Sequence, residues 1–166
     1  NATQGFKSIL LNKGVILKIT DIKVPTNIIW DEYKIDQVIR NLISNAIKFT
    51  PKDNKITIDI HQNHFFNING KSVNSTKQHL LVSVSDQGIG IPEDELTSVF
   101  DKFIQSSKTK TGAGGTGLGL AICKEIVEGH KGIIWAENNS EGGATFNFIL
   151  PIGQKWNSRI RPDKAI

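Results

Sequence analysis

Residues 31–51 read Asp-Glu-Tyr-Lys-Ile-Asp-Gln-Val-Ile-Arg-Asn-Leu-Ile-Ser-Asn-Ala-Ile-Lys-Phe-Thr-Pro, and the periodicity of this stretch decides the fold class. Ile35, Val38, Ile39, Leu42, Ile43 and Ala46 recur at helical spacing. Asp31 stands where an N-cap belongs, and Pro51 pushes Thr50 out of helical geometry. One amphipathic helix with a defined start and stop results. Its polar side carries as much information: Asn41, Asn45 and Lys48 fall within an arc of roughly 60° at about 100° per residue. That stripe borders the apolar one, so it meets the edge of a core facing a cleft. An amide oxygen there can complete a magnesium shell and a lysine can neutralise phosphate; a solvated helix face is the other reading of the same spacing.

Working outward, residues 14–21 alternate as a short strand, and Ile56, Ile58 and Ile60 alternate with Thr57 and Asp59 as a half-buried one. Residues 61–79 are polar, contain His61, His64 and His79, and read as a long hairpin or loop before a strand with Leu81, Val82 and Val84. Ile91-Pro92 opens a predicted helix with Glu93, Asp94 and Glu95 in its first turn and Leu96, Val99, Phe100 and Phe103 as its buried face. A flexible stretch from 105 to 117 leads into a helix around Cys123, expected to end near Gly129 through C-terminal glycine chemistry. Strands at 133–137 and 144–150 close the domain, joined by a turn at 138–143, with Ala144, Phe146, Phe148 and Leu150 on one face. Hairpins mixed with helices favour an α+β fold over a doubly wound one.

The bulk numbers set the frame. The 166 residues suit one domain, and with 38% hydrophobic and 22% charged residues they form an ordinary globule without the run of about 18 apolar residues that a membrane span needs. Cys123 is the single cysteine, which precludes an internal disulfide; its apolar neighbours imply inert packing in a reducing cytoplasm. Net charge is +4, yet the lysines are scattered with no basic stripe interleaved with aromatics, so no nucleic-acid partner is expected. Absence of methionine points to a piece of a longer protein, and the basic tail with Lys155, Arg159, Arg161 and Lys164 reads as a linker.

Two further motifs carry chemistry. Asp86 ends an alternating strand and precedes Gly88 and Gly90, which lets the backbone turn tightly beside a carboxylate able to accept a base's exocyclic amine; a plain turn gives the same pattern. Five of the fifteen glycines fall between 112 and 119 and open directly into a helix, where amides can surround phosphate. The phosphate-loop ATPase motif is excluded, because Gly70-Lys71-Ser72 has Phe65 where the first glycine belongs. Gly112, Gly114 and Gly117 satisfy Gly-x-Gly-x-x-Gly, but the polar stretch before them cannot be the strand of a dinucleotide fold. A glycine-rich lid over a nucleotide accounts for both the polar approach and the helical exit.

In this order the sites resemble the motif boxes of the histidine-kinase branch of the gyrase, heat-shock chaperone, kinase and mismatch-repair ATPase family, over roughly residues 14–151. Asn41-Leu-Ile-Ser-Asn45-Ala-Ile-Lys48-Phe49-Thr50 is similar to the asparagine box, and Asp86-Gln-Gly88-Ile-Gly90-Ile-Pro92 to the first glycine box. Phe100-Asp-Lys102-Phe103 resembles the phenylalanine box, Gly115-Thr-Gly117-Leu-Gly119-Leu120 the second glycine box, and Gly142-Gly143-Ala-Thr145-Phe146 a final glycine-threonine motif. The resemblance implies a two-layer α/β sandwich, a mixed and mostly antiparallel sheet covered on one face by helices. It divides the chain into a linker at 1–13 from a dimerisation domain, a catalytic domain at 14–152 with an insertion at 61–79 and an ATP lid at 104–116, and a tail at 153–166.

The resemblance also implies roles. Its cofactors are ATP and Mg2+. Asn45 would ligate the metal, Asn41 would support that site, Lys48 would meet the phosphates, and Asp86 would hold the adenine amine with Thr145 nearby through water. Phe49 and Ile91 would line the base and sugar pocket, and Gly88, Gly90, Gly115, Thr116, Gly117, Leu118, Gly119 and Leu120 would frame the nucleotide. Lys102 stands where the family often has an arginine near the terminal phosphate, a point charge in place of a planar fork. Asn41 occupies a position that is usually glutamate in ATP-hydrolysing relatives; an amide cannot act as that base, so transfer to a protein side chain is expected and bulk hydrolysis slow. Implied partners are a histidine-bearing dimerisation domain of the same kinase and a response-regulator receiver domain. The fragment is expected to be monomeric and cytoplasmic without direct membrane contact, in a homodimeric parent that spans upstream would anchor. None of the four histidines has the context of a phosphoacceptor, and His130 reads as a helix cap. An anti-sigma-type serine kinase and a binding module that uses ATP only to switch partners are the alternatives.

Overall fold

The computed structural model describes residues 3–20, 30–68, 71–109 and 116–153. Its regular elements run α1 (Lys7–Lys13), β1 (Ile16–Ile19), α2 (Glu32–Phe49), β2 (Lys55–Ile68), β3 (Lys71–Ser85), α3 (Gly119–Gly129), β4 (Ile133–Asn138) and β5 (Ala144–Pro151). Helix α2 begins and stops as its sequence predicts. The Asp31 side chain accepts the Lys34 N–H at 3.1 Å, and Thr50 turns extended at ψ 123° while its amide still reaches the Ala46 carbonyl.

The strands form one sheet in the order β1-β2-β3-β5-β4, with β1 parallel to β2 and the other pairs antiparallel. Alternation sorts the side chains. Ile56, Ile58, Val82, Val84, Phe146, Phe148 and Leu150 are buried in the main core with Val38, Leu42 and Ile43 of α2 and Cys123 and Val127 of α3. Leu42 and Phe148 are wholly buried there, and truncating either to alanine costs about 2–5 kcal/mol. This is the expected α+β architecture, with helices on one face of a mixed sheet.

The insertion at 61–79 proves to be a hairpin, since β2 and β3 run through it as continuous strands. The ladder is regular to the pair Asn63–His79 and resumes at Phe65–Asn74. Between those pairs β2 has only His64 while β3 has residues 75–78, an irregularity that shifts the register of the ladder. Beyond the shift, Ile68 packs with Leu81 against Trp135 and Ile149. The hairpin therefore lends cover to the sheet face that lacks helices, where Trp135 is 5% and Ile149 3% exposed.

Three local expectations are corrected. The segment after Pro92 is not one helix but two 3-10 turns, Glu93–Glu95 and Ser98–Phe100. The Ser98 hydroxyl bonds the Glu95 carbonyl, a local alternative to helical pairing. Phe103, expected to be buried, is 74% exposed and left-handed at φ 65°, because its amide is drawn to the Gly117 carbonyl at 3.1 Å. Helix α3 ends at Gly129, but the left-handed residue is Lys131 at φ 62°, with Gly132 N–H on the Val127 carbonyl at 2.9 Å. Gly132 is required for closeness instead: a Cβ there would lie 2.2 Å from the Ile149 carbonyl oxygen of β5.

Residues read as a linker include α1, whose Leu10 is buried. Lys13 at its end donates to the carbonyls of Ile47 and Lys48, capping the negative end of the α2 dipole. His130 joins the far ends of the two long helices. Its Nδ1 donates to the Ile126 carbonyl at 2.7 Å and its Nε2 accepts the Asp31 N–H at 3.2 Å, which assigns the neutral Nδ1–H tautomer.

Candidate functional site

A cavity of about 260 Å³ opens between the C-terminal half of α2, the loop after β3 and the start of α3. Helix α2 contributes Asn45, Lys48 and Phe49, the last two in contact, with Lys48 Nζ 5.0 Å from the Phe49 ring centroid. The 3.6-residue period that buries Leu42 and Ala46 turns Asn45 and Lys48 to this edge of the core.

The loop contributes Asp86, Ile89, Gly90 and Ile91. Asp86 is only 5% exposed. Its Oδ1 accepts the Gly88 N–H at 2.8 Å and the Ala144 N–H at 3.2 Å, while its own amide donates to the Ala144 carbonyl at 2.9 Å. Burial pushes its pKa above the ordinary 3.8, and the two amides pull it partly back. The loop comes this close to α2 because residue 88 is glycine: a Cβ there would lie 2.7 Å from the Phe49 carbonyl oxygen.

The third wall comprises Ile104, Gln105, Ser106, Thr116, Gly117, Gly119 and Leu120. Gly117 takes φ 68°, and a Cβ on it would meet the Phe103 carbonyl carbon at 2.9 Å. Exposed contacts pin the outer part of this wall: the Ser107 amide to both Glu95 carboxylate oxygens at 3.1 Å, and Lys108 Nζ to the Ile89 carbonyl at 3.1 Å. Among the described residues no group of three or more His, Cys, Asp or Glu is placed to hold a metal ion. The Asn45 side-chain amide on the α2 wall offers an oxygen donor of the kind a hard cation accepts.

Residues 30–154 match the family of histidine kinase-, DNA gyrase B- and HSP90-like ATPases. This chain belongs to that family. It is similar to sensor kinases: it is 43% identical over 122 residues to sensor histidine kinase WalK of Bacillus subtilis (strain 168), covering 73% of this chain and 18% of that protein. To the adaptive-response sensory kinase SasA of Synechococcus sp. (strain CC9311) it is 38% identical over 124 residues, 75% of this chain and 29% of that one. The chain thus spans under a third of the length of these curated relatives. The catalytic domain of histidine kinase ThkA, in a nucleotide-free form, superposes with a TM-score of 0.71 at 28% identity, covering 91% of this chain and 89% of that one.

Within this ATPase-family cavity, Asn45, Lys48, Phe49, Asp86, Gly90, Ile91, Thr116, Gly117, Gly119 and Leu120 of the sequence-derived set come together. The others stand apart. Gly88 sits behind the wall and serves the close approach to α2, and Leu118 precedes α3 as its N-cap residue. Asn41 does not line the cavity; its Nδ2 donates to the Gly119 carbonyl at 3.3 Å, and its side chain also bonds Cys123, whose thiol burial pushes up to about 12. Lys102 pairs on the surface with Glu125 at 2.7 Å. Gly112, Gly114 and Gly115 lie outside the described residues.

Thr145 faces away. Ala144 and Phe146 line the cavity, so strand alternation sends Thr145 to the other side of the sheet, where its hydroxyl donates to Asn139 Oδ1 at 2.5 Å. The position of the motif that reaches Asp86 is the Ala144 amide. Ile104, Gln105 and Ser106 fall within the span expected as a lid at 104–116 but were not singled out as site residues, and Ala144 and Phe146 were already on the inward face by alternation.

Proposed function

We propose that this chain is the ATP-binding catalytic domain of a sensor histidine kinase, passing the γ-phosphate of Mg-ATP to a histidine on a separate dimerisation domain for relay to a response-regulator aspartate. The observation that carries this reading is the convergence of Asp86, Asn45 and Lys48, from two segments far apart in sequence, on one cavity. Asp86 meets the adenine amine through Oδ2, since both backbone donors use Oδ1. The apolar surfaces of Phe49, Ile91 and Phe146 exclude water from the base. Lys48 would neutralise phosphate charge, and Asn45 would hold a magnesium ion that offsets the negative charge of the phosphates.

No carboxylate stands in for a water-activating base on α2: Asn41 is an amide, and it is held on Gly119 at the start of α3. Phosphate therefore goes to a presented side chain in preference to water. Lys102 reaches the terminal phosphate by exchanging Glu125 for it, a surface pair that costs about 0–1 kcal/mol to break. The cytoplasmic face is the setting of this reaction, and among the described residues no helix is long and apolar enough to cross a membrane. The domain itself acts as a monomer, brought to its acceptor by the homodimeric parent.

The test is calorimetry with ATP, with and without magnesium, on the chain and on Asn45→Ala and Asp86→Ala, followed by mixing with the parent's histidine domain. Binding lost in both variants and an acid-labile phosphate on the added domain are expected. Acid-stable phosphate on a serine, or fast ATP turnover by the domain alone, would sink the histidine-kinase reading.

A further inference from the structure

The loop from Asp86 to Pro92 has no regular secondary structure, yet it carries much of the base-side wall. Two consecutive asparagines at the end of β4 account for its shape. Asn138 Oδ1 accepts the Ile91 N–H at 2.8 Å and Nδ2 donates to the Ile91 carbonyl at 2.7 Å. One side-chain amide thus satisfies both backbone groups of a buried residue as a neighbouring strand would. The same Nδ2 lies 3.2 Å from Glu93 Oε1, and Gly90 is needed because a Cβ there would meet Asn138 Oδ1 at 3.0 Å.

Asn139 does the same for the other end of the loop. Its Nδ2 donates to the Asp86 carbonyl at 2.8 Å, and its Oδ1 accepts the Thr145 hydroxyl at 2.5 Å. Having given that proton, Thr145 accepts from Ser85 Oγ at 2.8 Å, so a chain of hydrogen bonds crosses the rear of the sheet to the residue before Asp86. The backbone partners have only one polarity each, which settles both amide orientations.

We infer that Asn138 and Asn139 are positioning residues for base recognition, fixing Ile91 and Asp86 in the geometry that selects adenine. Neither lines the cavity, so they act through the loop they hold. The inference rests on the reading of Asp86 as the acceptor for the adenine amine. It also gives Thr145 a purpose that its orientation otherwise denies it.

The experiment compares affinities for ATP and for inosine triphosphate, which has a carbonyl in place of the amine, in the chain, Asn138→Ala and Asp86→Asn, with the melting transition recorded for each. Loss of two backbone hydrogen bonds in Asn138→Ala is expected to lower the preference for ATP about tenfold. A merely structural role would lower the melting temperature and leave that preference alone. Preference lost in Asp86→Asn but intact in a cooperatively folded Asn138→Ala overturns the positioning role only; preference intact in Asp86→Asn removes the base reading, and this inference with it. Should Asn138→Ala not fold, hydrogen exchange on the unsubstituted chain decides: the Ile91 amide is expected to exchange slowly without nucleotide, and exchange at the rate of an unprotected peptide overturns the clamp.

Discussion

The two walls of the cavity are built by different means. On the base side, Gly88 is tied to Asp86, and Asp86 and Ile91 to Ala144, Asn138 and Asn139, by bonds that lie partly or wholly out of solvent. On the facing side, residues 101–108 are almost all exposed, and their outer part is held by the Glu95 and Lys108 side chains. One wall is in place before a ligand arrives, and the other has little to lose by moving. Segments with few buried contacts open most readily, so on the proposed reading the stiff wall would hold the base and the compliant one would adapt to the phosphates.

The largest effect is expected where the stiff wall is tightest. A Cβ on Gly143 would lie 2.1 Å from the Asp86 carbonyl oxygen, and φ there is 88°. Gly143→Ala should cost about 3 kcal/mol through strain and displacement of the loop. Calorimetric melting should fall by roughly 6–12 °C for a domain of this size; a drop within about one degree would mean that the wall yields, and the contrast with the facing side would collapse.

Asp86→Asn comes next and separates function from stability. ATP affinity is expected to fall about 30-fold, because an amide nitrogen replaces the accepting oxygen that faces the base. Without ligand the sign reverses. Burial raises the folded-state pKa above the ordinary 3.8, so the stability this carboxyl contributes is full below that value and is lost as pH rises through the raised one. The variant should match the parent in acid and become the more stable of the two as pH climbs past 3.8, with the gap constant once the folded-state pKa is passed. Denaturation midpoints that stay equal across this range would show that the carboxylate is not strained by burial.

On the compliant side the effects shrink. Lys108→Ala should speed amide exchange over residues 101–109, leave residues 86–91 protected, and change ATP affinity by less than about threefold. Spread of the faster exchange into the base-side loop would show that the walls are coupled through the Ile89 carbonyl. Lys102→Ala removes an exposed pair with Glu125 and is expected to change stability by under about 1 kcal/mol, with the difference fading in high salt. A larger, salt-insensitive change would mean that Lys102 supports the lid from the surface.

Legibility in the sequence followed the same division, though not in the same way for each residue. The asparagine-bearing helix was readable to its ends, since its cap, its apolar period and Pro51 all act within a turn of the chain. Asp86 with its glycines was readable as a tight turn beside a carboxylate. Phe103 was misread because helical spacing alone places it inward, while a backbone bond to Gly117, fourteen positions away, turns it out. Thr145 was misread by one residue, and in a strand one residue is the difference between the two faces.

What the sequence determined unaided is whatever depends on neighbours along the chain: the α+β class, the extent of α2, the alternation of β5, the absence of a phosphate-loop or dinucleotide motif, and the set of boxes that identify the ATPase family. What tertiary structure alone decided depends on partners remote in sequence. It turned the insertion into a hairpin whose Ile68 packs on the back of the sheet, held Asn41 on Gly119 and Lys102 on Glu125, and made Asn138 and Asn139 the keepers of the Asp86 loop. Periodicity is local and is written in the chain, whereas the pairing of a side-chain amide with a particular backbone group exists only once the fold has brought the two within hydrogen-bonding distance.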